Sequence, residues 1–176
     1  LDVTINTKRK NLTVFFSDIK NFTTITEKLE PEILTKLITN YLTEMTEIAM
    51  SYGGTVDKYI GDAIMIFFGD PLSNGIKKDA IACVSMALTM KKKLRQLKKD
   101  WKKTGLSESL DVRMGIHTDV CTVGNFGSSD RLDYTVLGNG VNLASRLESM
   151  AEASEILISK NTYNLIKKDI ESQFCS

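Results

Sequence analysis

The chain has 176 residues, 42% hydrophobic and 26% charged, which suits a globular fold with a sizeable core and excludes both disorder and a disulfide scaffold. Its 23 Lys and Arg nearly balance 22 Asp and Glu, for a formal charge of +1, so bulk charge does not mark a nucleic-acid binder. No apolar run approaches the ~18 residues of a membrane span, and Cys83, Cys121 and Cys175, in no CxxC spacing, read as free thiols of a reducing, cytoplasmic compartment.

In chain order, Leu12–Phe16 (LTVFF) is a short, β-rich apolar run that stops at Ser17-Asp18, as a buried strand does. Asn21 is placed to cap the next helix. Pro31 opens a stretch in which Leu34, Leu37, Ile38, Tyr41, Leu42, Met45 and Ile48 recur at helical spacing, predicting an amphipathic helix over Pro31–Ser51 that Gly53-Gly54 ends. Thr55–Ile60 and Ala63–Phe68 are strand-like runs separated by Gly61-Asp62, the pattern of a type II′ hairpin. A long helix is expected over Asp79 to about Lys103. Strands follow at Leu110–His117 and Val120–Asn125 around a short turn, and again at Leu132–Leu137. Gly138-Asn139-Gly140 introduces a helix from Val141 to about Met150, and Ile156–Ile158 and Thr162–Lys168 close the chain as strand and helix. With no internal repeat or linker, residues 1–176 read as one α/β domain, excised from a longer protein because both ends look cut.

One charge asymmetry stands out. Met90–Lys103 (MKKKLRQLKKDWKK) holds eight cations and one acid, while Met90, Leu94, Leu97 and Trp101 form a narrow apolar seam on the same helix. A solvated outer face with snorkelling lysines explains this better than a lipid or polyanion patch.

Three groups of residues attract chemical interest. Asp18 at a strand end and Asp62 in a hairpin turn are each ordinary alone, as a cap and a turn former. On neighbouring strands ~4.8 Å apart they would suit a hard cation such as Mg²⁺; spacing leaves both readings open. Lys58 falls between Val56 and Ile60 on one strand face, so it must snorkel, pair or enter a pocket. Asn142 and Arg146 share a helix face near its N-terminus, a fit for an anionic phosphate, although an exposed face with Arg146 paired to Glu148 fits the spacing as well. A different, apolar face of that helix would carry Leu143, Leu147 and Met150. His117 stands alone and reads as structural. No Walker loop, GxGxxG or GxSxG occurs, which removes the ordinary phosphate-loop and serine-hydrolase readings.

Four stretches together resemble class III nucleotidyl cyclase catalytic domains: TVFFSDIKNFT (Thr13–Thr23), GGTVDKYIGDAIMIFFGDP (Gly53–Pro71), RMGIHT (Arg113–Thr118) and VGNFGSSDRLDYTVLGNGVNLASRLE (Val123–Glu148). The similarity is greatest to bacterial and soluble-type adenylate cyclases with Thr at the second base-contacting position. The resemblance implies a ferredoxin-like, antiparallel-rich sheet flanked by helices, and conversion of ATP to 3′,5′-cyclic AMP and pyrophosphate. It implies two Mg²⁺ (or Mn²⁺) per active site, held by Asp18, Asp62 and the Ile19 carbonyl, with amides from Ile19 through Lys20, Asn21 and Phe22 to Thr23 holding the terminal phosphates. Lys58 and Thr135 match the adenine-reading pair, Asn142 the ribose-orienting residue and Arg146 the transition-state arginine. The family works as a dimer, so a homodimer would own two composite sites, the metal aspartates from one chain and Lys58, Thr135, Asn142 and Arg146 from the other. ATP is then the partner and nucleic acid is not. Sensor or membrane segments attached outside this chain, tethering the parent protein, are compatible with the match.

The sequence departs from the family at Asn21 and Asp119, where glycines are usual. It ends at Ser176, before the late lysine that contacts terminal phosphates and before the last strands. The alternatives are a weak or inactive dimerising nucleotide-binding regulatory domain, and a guanylate cyclase, for which Glu and Cys would be expected in place of Lys58 and Thr135.

Overall fold

The computed structural model describes residues 6–172. Strand β1 (Thr7–Ile19) is followed by the short helix α1 (Phe22–Lys28), helix α2 (Pro31–Ser51), the hairpin β2 (Thr55–Ile60) and β3 (Ala63–Phe68), and helix α3 (Ile76–Lys103). Then come β4 (Val112–Gly127), β5 (Leu132–Leu137), helix α4 (Asn139–Met150), β6 (Ile156–Ile158) and α5 (Lys160–Ile166). The sheet order is β2-β3-β1-β4-β5, with β6 pairing parallel to β4. Four of these strands, in the antiparallel order β4-β1-β3-β2 with a helix in each crossover, make the ferredoxin-like core that the resemblance implies.

Alternation along the strands divides the interior in two. Phe15 and Ile19 of β1 join Ile64, Ile66 and Phe68 of β3 under α2 and α3, where Tyr41, Met45, Met86 and Met90 complete the larger core. Leu12 and Val14 face the other way and pack with Met65, Phe67, Val123, Val136 and Ala144 of α4. The seam Met90, Leu94, Leu97 and Trp101 is buried in the larger core, so the lysines of α3 cover an ordinary packed helix.

Several boundaries differ from the sequence reading. β1 begins at Thr7, because TKRKN pairs with the far half of β4 (Thr7↔Gly124 to Asn11↔Val120) while leaving its side chains largely exposed and without apolar alternation. It also runs through Ser17-Asp18 to Ile19. The expected turn at Thr118-Asp119 does not exist: β4 is one strand, held straight by unbroken pairing with β1 from Thr7 to Ile19. A buried hydroxyl chain reinforces it there, Thr13 to Thr118 (2.9 Å) and Thr118 to Thr162 (3.0 Å). His117, also buried, meets Ser159 (2.7 Å) and Asp119 (3.2 Å), the structural role expected of it. α3 starts three residues early, its entry fixed by Asp79 accepting from the Asn74 amide (3.0 Å) and the Ser73 hydroxyl (2.5 Å). α4 likewise opens at Asn139, and α5 spans Lys160–Ile166 because the Ser159 side chain caps it. Cys83 and Cys121 are buried free thiols; Cys175 lies outside the described residues. No helix among the described residues is long and apolar enough to cross a membrane.

Candidate active site

The first cluster forms where β1 ends beside the β2–β3 turn. Because β3 is the hydrogen-bonded neighbour of β1, with Ser17 opposite Ile64, the turn carrying Asp62 lies next to the end of β1. The Asp62 carboxylate accepts the Ile19 amide at 2.6 Å, joining the two predicted acids through one peptide. Gly61, at φ +60°, allows the tight turn that aims Asp62 back at β1. Burial raises the Asp62 pKa, and Asp18 adds to it against the pull of the Ile19 amide and Arg113.

Asp18 has a partner that sequence reasoning missed. Arg113 sits directly across the ladder on β4 and grips Asp18 with two bonds, Nε to Oδ1 at 2.9 Å and Nη2 to Oδ2 at 2.8 Å. This is the bidentate fork that guanidinium geometry favours. Its Nη1 donates to the Ser149 carbonyl (3.0 Å), and Nη2 lies 3.9 Å from Glu148 Oε2. Burial, and after it the neighbouring Asp18, pushes Glu148 up to about 8. Three acids therefore share one cation. Gly115 makes this closeness possible: a Cβ there would sit 2.2 Å from the Glu148 amide and 2.6 Å from the Ala144 carbonyl, so only glycine lets α4 lie against β4. The pairing of Arg146 with Glu148, open on spacing, does not occur.

The first turn of α1 lies next to these acids. Asn21 adopts a left-handed backbone (φ 59°, ψ 31°) with no side-chain capping bond, so it serves by conformational tolerance rather than as a cap. Two of the amides expected to hold phosphates already have partners: Ile19 donates to Asp62, and Lys20 to the Asp111 carbonyl at 2.8 Å. Those of Asn21, Phe22 and Thr23 have none among the described residues. The Lys20 ammonium lies 3.6 Å from Glu152.

The second cluster brings Lys58 and Thr135 together from opposite sheet edges. The Thr135 hydroxyl donates to Asp57 Oδ2 at 2.5 Å, and Lys58 Nζ lies 3.8 Å from Asp57 Oδ1. The two predicted residues thus flank one carboxylate that the sequence reading passed over. That reading placed Lys58 on an aliphatic strand face. Instead the β2–β3 register shifts between Val56 and Lys58, and Lys58, Tyr59 and Ile60 are all exposed, so Lys58 is an accessible, paired ammonium.

Asn142 and Arg146 form a third group, one turn apart on the exposed side of α4. Neither side chain has a hydrogen bond or ion pair with any other described residue. The buried side of α4 is Gly140, Ala144 and Glu148, not the expected Leu143–Met150 stripe: Leu143 and Met150 are exposed. The helix packs by its small residues because it lies so close to β4.

As to a metal, the donors are hard oxygens: two carboxylates, one held beside the other's strand, and the adjoining Ile19 carbonyl. Among the described residues no set of three or more His, Cys, Asp or Glu side chains forms a metal site. Hard oxygens of this kind are the chemistry that Mg²⁺ prefers, one or two carboxylates with substrate phosphates and water completing its shell, and here both Asp18 oxygens are held by Arg113.

The sequence pattern of the adenylate and guanylate cyclase catalytic domain matches residues 5–175, and the chain belongs to that family. It superposes on the adenylyl cyclase CyaB from P. aeruginosa with a TM-score of 0.93 and 57% identity, over 95% of this chain and 85% of that one. The guanylyl cyclase Cya2 gives 0.84 and 35%, over 90% and 79%. Adenylate cyclase 1 of Rhizobium meliloti (strain 1021) is 33% identical over 142 residues, 81% of this chain. The chain spans about a fifth of that relative's length, 21%.

Proposed function

We propose that the chain is the catalytic domain of an adenylate cyclase, one domain over residues 1–176, that forms 3′,5′-cyclic AMP and pyrophosphate from ATP at a homodimer interface in the cytoplasm. The observation that carries the reading is the junction of Asp18 and Asp62 through the Ile19 amide, which donates to Asp62 at 2.6 Å across 43 residues of chain and so gathers hard oxygens in one place. Asp18, Asp62 and the Ile19 carbonyl would hold two divalent cations, Mg²⁺ or Mn²⁺. Such ions lower the pKa of an attacking hydroxyl and neutralise phosphate charge.

In the reaction the ATP 3′-hydroxyl attacks the α-phosphorus in line and pyrophosphate leaves. This chain supplies no nucleophile. Arg146 meets the charge that grows on the α-phosphoryl oxygens, and it stabilises the transition state more than the ground state. Asn142 orients the ribose, which places the hydroxyl. The amides of Asn21, Phe22 and Thr23 face the terminal phosphates, while Lys58 and Thr135 read adenine. Arg113, which holds Asp18 with two bonds, would remain beside a cation bound there as a further positive charge.

A dimer is supported by what surrounds these residues. Tyr59 and Ile60 follow Lys58, Leu137 follows Thr135, and Leu143 follows Asn142, and all four are exposed apolar side chains, the signature of a covered face. Arg146 pairs with no acid among the described residues.

Incubation with ATP and Mg²⁺ or Mn²⁺, with products separated by chromatography, should give cyclic AMP, and chelation should stop it. ATP binding without cyclic product would favour the regulatory-domain reading, and faster turnover of GTP would make it a guanylate cyclase.

A further inference from the structure

A threonine hydroxyl has one proton to donate and two lone pairs to accept with, so by itself it cannot tell adenine from guanine. Guanine presents an acceptor oxygen where adenine presents an exocyclic amine, and a ring N–H where adenine presents an acceptor nitrogen. Discrimination requires the hydroxyl proton to be fixed.

Asp57 fixes it. The irregularity in β2 falls between Val56 and Lys58, so Asp57 is left out of the ladder, and such bulges re-aim a side chain. Its side chain is turned inward, only 3% exposed, where it meets the buried Thr135 hydroxyl at 2.5 Å. A carboxylate only accepts, so the Thr135 proton points at Asp57 and the lone pairs face outward. The other carboxylate oxygen, 3.8 Å from Lys58 Nζ, steadies an ammonium that only donates. The outward pattern is one donor beside one acceptor: Lys58 matches the adenine ring nitrogen and Thr135 its amine, while guanine is mismatched at both positions.

We propose that Asp57 is a specificity-determining positioning residue, which orients the Thr135 hydroxyl as an acceptor and so selects adenine over guanine nucleotides. This rests on Lys58 and Thr135 contacting the base. An asparagine at position 57 could offer Thr135 its N–H₂ instead, and the freed hydroxyl would then donate to guanine. Asp57 does not touch the base; it acts through its two neighbours.

The test is the ratio of dissociation constants for 3′-deoxy-ATP and 3′-deoxy-GTP, which lack the hydroxyl needed to cyclise, measured by equilibrium dialysis with Mg²⁺. Asp57→Asn should lower the preference for the adenine nucleotide by about tenfold or more, chiefly by tightening 3′-deoxy-GTP, with an unchanged melting temperature. A merely structural role would weaken both nucleotides alike and leave the ratio fixed. Thr135→Val should also erode the ratio, Thr135→Ser should preserve it, and Asp57→Asn added to Thr135→Val should change it no further. If Lys58→Ala and Thr135→Val move the ratio but Asp57→Asn does not, the inference about Asp57 is wrong and the base-reading pair stands. If the parent chain shows no adenine preference, or neither Lys58→Ala nor Thr135→Val alters it, the base-reading pair itself is wrong.

Discussion

The acid side of the site and the outer face of α4 handle charge in opposite ways. Asp18, Asp62 and Glu148 are drawn together and partly neutralised inside the chain by Arg113 and the Ile19 amide. The Arg146 and Asn142 side chains, on the same helix as Glu148, have no hydrogen-bond or ion-pair partner among the described residues. An acid cluster left uncompensated would cost stability at all times, so it carries its own counter-ion. An exposed guanidinium costs little in water and can wait for an anion. One helix thus carries a buried structural acid on its inner face and a functional charge on its outer face.

That contrast can be broken at either end. The largest effect should come from Asp62→Ala, which removes an expected metal ligand: cyclic AMP formation should fall about a thousandfold or more, read by single-turnover assay. Arg146→Ala should lower kcat by about a hundredfold or more while the melting temperature stays put, because its side chain has no hydrogen bond or ion pair among the described residues. A clear drop in melting temperature would show that Arg146 is structural. Arg113→Ala should behave in the reverse sense, leaving Asp18 and Glu148 without their shared cation and costing about 1–3 kcal/mol in denaturant unfolding. Gly115→Ala should cost about as much, 1–3 kcal/mol, because its Cβ would meet the α4 backbone at 2.2 Å. It should slow turnover too, since α4 carries Asn142 and Arg146.

The smallest effect concerns acid. The Lys98 ammonium, 2.5 Å from Asp111, holds that carboxyl below its ordinary range. A lowered folded-state pKa means the unfolded chain binds the proton first, so this contribution is present at neutral pH and is lost as pH falls through the lowered value. Asp111→Asn should therefore flatten the acid limb of a melting-temperature profile and leave activity intact.

Much of this molecule is legible in its residues, for reasons that vary by element. α2 shows itself by 3.6-residue spacing behind Pro31, and the β2–β3 hairpin by two apolar runs around Gly61-Asp62. The first half of β1 does not, because a polar strand whose side chains face solvent has no alternation to read. The expected turn at Thr118-Asp119 came from local turn chemistry that pairing with β1 overrides. In the candidate site, Asp18 stands out because it closes an apolar run, and Asp62 because it sits in the turn between two such runs. Arg113 and Glu148 are not, since their roles depend on a contact across 95 residues and on the packing of α4. The one local hint was an arginine set between Val112 and Met114. Asp57 is hidden by the bulge, which no alternation rule anticipates.

Mixing two inactive variants, Asp18→Ala and Arg146→Ala, probes the shared site most directly. Free exchange of subunits makes half of the dimers mixed, each with one intact site of two, so activity should return to about a quarter of the parent level. No recovery, with mixed dimers confirmed by differently tagged chains, would show that Asp18 and Arg146 do not meet across an interface.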